Sequence, residues 1–214
     1  GRSDAETLET AITAGADFLG FVFYEPSPRH ISYRHAEELN EIVSGRALKV
    51  ALTVNADDER LDDIVKALSP DYIQLHGDET VERVREIKAR FGRPVIKAIK
   101  IRDAADLDLV NTYRDVCDLM LFDAKMPDDD PAALPGGNGV SFDWSLLQNR
   151  SQGLSFMLSG GLDAGHVSRA IETLHPAIVD VSSGVESEPG KKDKSKIRAF
   201  LEAVNAANKQ DDAA

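Results

Sequence analysis

Apolar residues gather in seven short blocks along the chain, opening at Phe18 (FLGFVF), Lys49 (KVALTV), Tyr72 (YIQL), Val95 (VIKAI), Leu119 (LMLF), Ser155 (SFML) and Ile178 (IVDV). They are mostly continuous rather than alternating, the pattern of parallel strands buried on both faces. Between them run stretches with helical period, over residues 3–15, 33–43, 57–68, 80–91, 104–113, 164–174 and 194–205. Residues 142–147 read as a short helix after a long loop. The first helix opens with S-x-x-E at Ser3 and Glu6, a capping box. Repeated βα units without a shift in composition predict one α/β domain over residues 1–208. Residues 209–214 read as a polar tail, expected to be frayed or disordered.

The count of elements is the odd feature. Seven strands stand against eight helices, and the chain opens on a helix. An open doubly wound sheet fits that count, but no G-x-G-x-x-G opens a helix after the first strand. The Gly-rich turns lie near the end instead, as in the phosphate site of a barrel. The fold class expected is therefore a (β/α)8 TIM barrel whose first strand is missing from the chain. The first helix carries an apolar face of Ala5, Leu8 and Ile12 that must be buried. Without a further strand, the edges at Phe18 and Ile178 face each other across a gap.

Composition narrows the function. With 25 basic against 37 acidic residues, net −12, the surface is wrong for nucleic acid or an anionic membrane. A small anionic ligand is not excluded, because it needs only local donors. No apolar run is long enough to span a membrane, and no signal-peptide pattern is present, so the expected location is cytoplasmic. The single cysteine, Cys117, excludes an intrachain disulfide and a CxxC metal site.

Candidate chemistry sits just after strand ends, where a barrel places its active site. SGGLDAGHV (159–167) and IVDVSSGVE (178–186) each read as strand, Gly- or Ser-rich turn and helix start. Such turns leave N–H groups unpaired and converging, which makes an anion site; alone, each is equally an ordinary strand-to-helix turn. Gly160, Gly161 and Gly184 let the backbone approach an anion closely. After the first block, YEPSPRHIS carries Arg29 and His30 in a loop stiffened by Pro26 and Pro28. Arg29 can fork onto a carboxylate or be a solvated loop arginine. His76, before Gly77-Asp78-Glu79, is a ligand contact or part of a turn. Asp123, directly after LMLF, is a partly desolvated acid suited to general acid catalysis, or a helix cap or partner for Lys125.

Taken together, GADFLGFVFYEPSPRHIS, QLHGDE, LFDAK, GGNGVSFDW, LSGGL and VDVSSGVESEPGKKD resemble the phosphoribosylanthranilate isomerase family, in that family's order and over nearly the whole chain. The resemblance implies a (β/α)8 barrel that uses no metal or organic cofactor. It implies conversion of N-(5-phosphoribosyl)anthranilate to the 1-deoxyribulose 5-phosphate derivative in tryptophan biosynthesis. It places the general acid on Asp123 and the grip on the anthranilate carboxylate on Arg29. Gly160, Gly161, Ser182, Ser183 and Gly184 fall in the phosphate-binding turns, and His76 and Asp180 line the pocket. The family's general base is a cysteine in a K-I-C-G segment ending the first strand. Gly1 matches the glycine of that segment, so the base is expected just before Gly1. Asn138 stands where a Thr is expected and keeps a side-chain donor. The implied partner is a phosphosugar, with a monomer or homodimer as the assembly. Two alternatives remain. One is another phosphosugar barrel, such as indole-glycerol-phosphate synthase or ribulose-phosphate epimerase. For the synthase, the long N-terminal extension and a lysine directly after KVALTV or YIQL are missing. For the epimerase, a full metal-ligand set is missing. The other alternative is a barrel that binds the phosphosugar without turning it over.

Overall fold

All seven apolar blocks become strands. In the computed structural model, which describes residues 4–101, 105–124, 147 and 154–211, they form one parallel sheet in chain order. The strands are β1 (Phe18–Val22), β2 (Leu48–Thr53), β3 (Tyr72–Leu75), β4 (Val95–Ile101), β5 (Leu119–Ala124), β6 (Phe156–Ser159) and β7 (Ile178–Val179). The helices are α1 (Ala5–Thr13), α2 (Tyr33–Val43), α3 (Asp58–Leu68), α4 (Val81–Phe91), α5 (Asp108–Tyr113), α6 (Val167–Leu174) and α7 (Lys194–Asp211). Residues 142–147 lie outside the described residues except Leu147, which is helical and fully buried.

Capping explains most helix starts. Ser32, Asp57 and Thr80 each accept a hydrogen bond from the N–H three residues on, and α2, α3 and α4 begin directly after them. Four boundaries differ from expectation; α5 opens at Asp108 rather than 104, with residues 105–107 in turns. The α1 cap is Asp4, whose carboxylate accepts from Thr7 N at 2.7 Å, rather than Ser3, which lies outside the described residues. An aspartate caps as well as a serine and adds charge favourable at the helix start. α6 begins at Val167 rather than 164, because Asp163 Oδ1 takes the N–H groups of Gly165 and His166 into a turn. α7 runs on to Asp211, through residues read as polar tail, with Ala207 buried against the core.

Two faces of the sheet pack differently. Outward residues such as Phe21, Ile73, Phe122 and Phe156 meet the helices. Inward, Val50, Ile96, Ala98, Leu121 and Met157 form one cluster, with Phe18, Tyr72, Leu119 and Ile178 against it. That cluster draws on all seven strands. In a flat sheet, six spacings of ~4.8 Å would hold β1 and β7 roughly 29 Å apart, so the sheet is curled. The curl stops short of closure: among the described residues, β1 and β7 do not pair with each other. A cavity of about 330 Å³ lies there, lined by Leu8, Phe18, Ile178, Phe200 and Val204 among others.

One polar knot lies in the outer layer. Lys97 on β4 is 3% exposed, and its Nζ donates to Glu79 Oε2 at 2.9 Å and Gly77 O at 2.7 Å. Glu79 also accepts from the N–H groups of Asn55 and Gly77. A buried pair of this kind ties the loop after β3 onto β4, and removing one partner leaves a charge stranded. Lys97→Met is therefore expected to lower the urea unfolding free energy by about 3–5 kcal/mol. A loss below about 1 kcal/mol, typical of exposed pairs, would show that the knot does not hold the loop.

Candidate active site

Side chains alternate faces along a strand, so every second residue shares a side. Leu119 and Leu121 point inward, hence so does Asp123; Met157 likewise leads to Ser159, and Ile178 to Asp180. From Tyr72 the same step gives Gln74 and then His76. The apolar interior thus ends, at the C-terminal rim, in a ring of polar groups. Asp123 lies in register with Ser159, whose Oγ donates to Asp180 Oδ2 at 3.1 Å. His76 Nε2 lies 3.3 Å from Asp123 Oδ2, and Gln74 Nε2 lies 3.0 Å from His76 Nδ1. An amide nitrogen can only donate, so Nδ1 accepts and the ring proton sits on Nε2, facing Asp123. Burial pushes the Asp180 carboxyl above the usual carboxylate range, against the hydrogen bond from Ser159.

The two Gly-rich turns meet. Gly160 and Gly161 take φ of 111° and 73°, a backbone region that favours glycine. A Cβ on Gly184 would run into the Leu162 carbonyl, so only glycine lets the second turn lie against the first. Among the described residues, nothing accepts from the N–H groups of Gly160, Gly161, Ser183 or Gly184. The expected helix start behind the second turn is only a 3-10 turn, Ser183–Val185. The donors there are thus backbone N–H groups with little dipole behind them.

Arg29 does not project free. Its Nε and Nη2 donate to Glu186 Oε1 and Oε2 at 2.8 and 2.6 Å, a bidentate fork. Glu186 opens an antiparallel hairpin of β8 (Glu186–Glu188) and β9 (Lys191–Lys192), which apolar patterning did not reveal. Lys192 Nζ donates to Glu186 Oε1 at 3.0 Å and to Ser182 O at 2.8 Å. Burial pushes the Glu186 carboxyl up, but hydrogen bonds from Arg29 and Lys192 prevail and bring it down to about 2. Burial also lowers the Lys192 ammonium, against its bond to Glu186. Cys117 lies before β5, away from the rim, with its thiol donating to Tyr113 O at 3.2 Å and pushed up by burial. Lys125 and Asn138 lie outside the described residues.

Comparison with known proteins fits this arrangement. The family model described as N-(5'phosphoribosyl)anthranilate (PRA) isomerase matches residues 1–203. This chain belongs to the phosphoribosylanthranilate isomerase family. The isomerase of Bradyrhizobium diazoefficiens is 55% identical over 206 residues, 96% of this chain and 92% of its own length. That of Nitrobacter winogradskyi is 55% identical over 207 residues, 97% and 91%. Among solved structures, the Thermotoga maritima isomerase superposes with a TM-score of 0.82 at 35% identity, covering 95% of both chains. A phosphoribosyl anthranilate isomerase in complex with reduced 1-(o-carboxyphenylamino)-1-deoxyribulose 5-phosphate superposes with a TM-score of 0.80 at 32% identity, covering 95% of this chain and 94% of the other.

Within this family member, the expected residues fall into two groups. His76, Asp123, Asp180 and the phosphate-type turns line the rim, while Arg29 is joined to Glu186. Sequence reasoning missed Glu186 as a partner because the two are 157 positions apart. The only signal was an acid closing the VSSGVE stretch. Because the folded carboxyl lies below its ordinary 4.5, its contribution to stability is complete above that pH and is lost as pH falls towards about 2. The stability gap between the wild type and Glu186→Gln is therefore expected to be constant above about pH 5.5 and to narrow steadily below 4.5. A gap unchanged between pH 6 and pH 3 in urea titrations would show that the fork is not charged as described.

Proposed function

We propose that the chain isomerises N-(5'-phosphoribosyl)anthranilate to 1-(2-carboxyphenylamino)-1-deoxyribulose 5-phosphate, with Asp123 as general acid. The observation that carries this reading is Asp123 itself: an inward carboxyl at the end of β5, held by His76 on one oxygen. Its proton passes to the furanose ring oxygen, the bond from C1' to that oxygen breaks, and the anilino nitrogen's lone pair forms the Schiff base. A base then removes the proton on C2'. The resulting enolamine becomes the ketone as C1' takes up a proton and the C2' hydroxyl gives one up. His76 orients Asp123, and Asp180 lines the same pocket. The phosphate rests on the free N–H groups of Gly160, Gly161, Ser183 and Gly184, beside Ser182, and Arg29 takes the anthranilate carboxylate. The ligand is thus a small phosphosugar held by backbone donors at one end and a guanidinium at the other.

The base belongs to the same reading. The cavity with apolar walls from α1 and α7 lies between the two edge strands β1 and β7, where one more parallel strand would pair with both. Such a strand, preceding Gly1 and ending in cysteine, would bring a thiolate to the rim that holds Asp123 and Asp180. Cys117 is poorly placed for that work. The relatives' names favour an isomerase over a barrel that merely binds the phosphosugar.

The test is turnover in a chain carrying that upstream segment. Asp123→Asn keeps the shape but cannot protonate, so kcat should fall by about 10²–10⁴-fold. Changing the upstream cysteine to serine should cause a similar loss with the fold intact. Near wild-type turnover in Asp123→Asn would refute the assignment of the acid.

A further inference from the structure

We infer that Glu186 is a positioning residue for the reaction: it turns the Arg29 guanidinium so that one edge remains for the substrate's carboxylate. The inference rests on the reading of Arg29 given above. A guanidinium presents its donors in a rigid planar fork. Glu186 occupies the Nε–Nη2 edge with both its oxygens. A second carboxylate can then reach only the Nη1–Nη2 edge, end-on. The ligand's carboxylate direction is thereby set by a protein carboxylate rather than by the loop alone.

Glu186 is itself well fixed. Its side chain is 4% exposed. Oε1 also accepts from Lys192 Nζ at 3.0 Å, and Oε2 from Gly190 N at 3.2 Å. Its backbone carbonyl accepts from Lys196 Nζ at 2.7 Å. Gly190, at φ 82°, lies so close to the Pro28 carbonyl that a Cβ there would collide with it. The hairpin tip therefore rests on the loop that carries Arg29. Through Lys192 and Ser182 O, the same carboxylate is tied to the second phosphate-type turn. Two cations around one anion leave a net positive charge, so the cluster still attracts an anionic ligand. A rival role, in which Glu186 blocks Arg29 until substrate displaces it, would strip a buried carboxylate of its two shortest hydrogen bonds.

The test is isothermal titration with two ligands. One is reduced 1-(o-carboxyphenylamino)-1-deoxyribulose 5-phosphate; the other is the same compound with hydrogen in place of the carboxylate. Glu186→Gln should weaken the first on the order of tenfold, the worth of one charge-assisted hydrogen bond, and the second hardly at all. Glu186→Asp keeps the charge but withdraws the fork by one methylene, and should show the same selective loss. In an Arg29→Ala background, Glu186→Gln should have no further effect on the first ligand. Equal losses for both ligands, or tighter binding of the first by Glu186→Gln, would overturn the inference. If Arg29→Ala itself does not distinguish the two ligands, the reading of Arg29 fails, whatever Glu186 does.

Discussion

The alternation of side chains along parallel strands is the constraint on which the site depends. Strands β5, β6 and β7 place Leu121, Met157 and Ile178 inside and a polar residue two positions later, and β3 carries Gln74 and His76 after Tyr72 in the same way. Because all seven strands run the same way, every such polar residue arrives at the same rim. The curl then brings them across from one another. Hydrophobic burial therefore aligns Asp123, Ser159, Asp180 and His76 without any long-range polar pairing to guide the chain. The hydrogen bonds among them refine a placement that packing has already made.

Two polar ties do what packing cannot. Loops leave the rim with few apolar residues to dock, such as Phe23 and Ile31 at the two ends of the one after β1, so the polar residues between need further ties. Lys97 and Glu79 secure the loop after β3, and with it His76. Glu186, on a hairpin almost devoid of apolar residues, secures the loop after β1 and its arginine. The carboxylate of each tie is buried, and each joins a strand or hairpin to a loop. A desolvated carboxylate has strict demands on its surroundings, which makes it a good fixing point for a catalytic loop.

What was legible in the sequence follows from this division. Strands were readable because continuous apolar blocks admit few other parallel arrangements, and the helices because apolar residues recur between those blocks with helical period. His76 and Asp123 were readable because strand ends are where a parallel barrel exposes chemistry. Glu186 and Lys97 were not. Lys97 looks like a polar interruption in VIKAI, and nothing local announces that Glu79 neutralises it. The pairing of Arg29 with Glu186 closes a loop over most of the chain, which no local pattern encodes. The end of α7 was misjudged because NKQDD is polar, whereas Ala207 anchors that turn from the buried side.

The central claim is that one ligand spans two anion sites across Asp123, and a crystal structure with reduced 1-(o-carboxyphenylamino)-1-deoxyribulose 5-phosphate tests it most directly. The account predicts the phosphate on the N–H groups of Gly160, Gly161, Ser183 and Gly184, and the carboxylate on the Nη1–Nη2 edge of Arg29 with Glu186 still in place. The sugar chain would then pass within hydrogen-bond reach of Asp123. A ligand bound in reverse, with phosphate on Arg29 or beside Lys192, or one that leaves Asp123 out of reach, would contradict it.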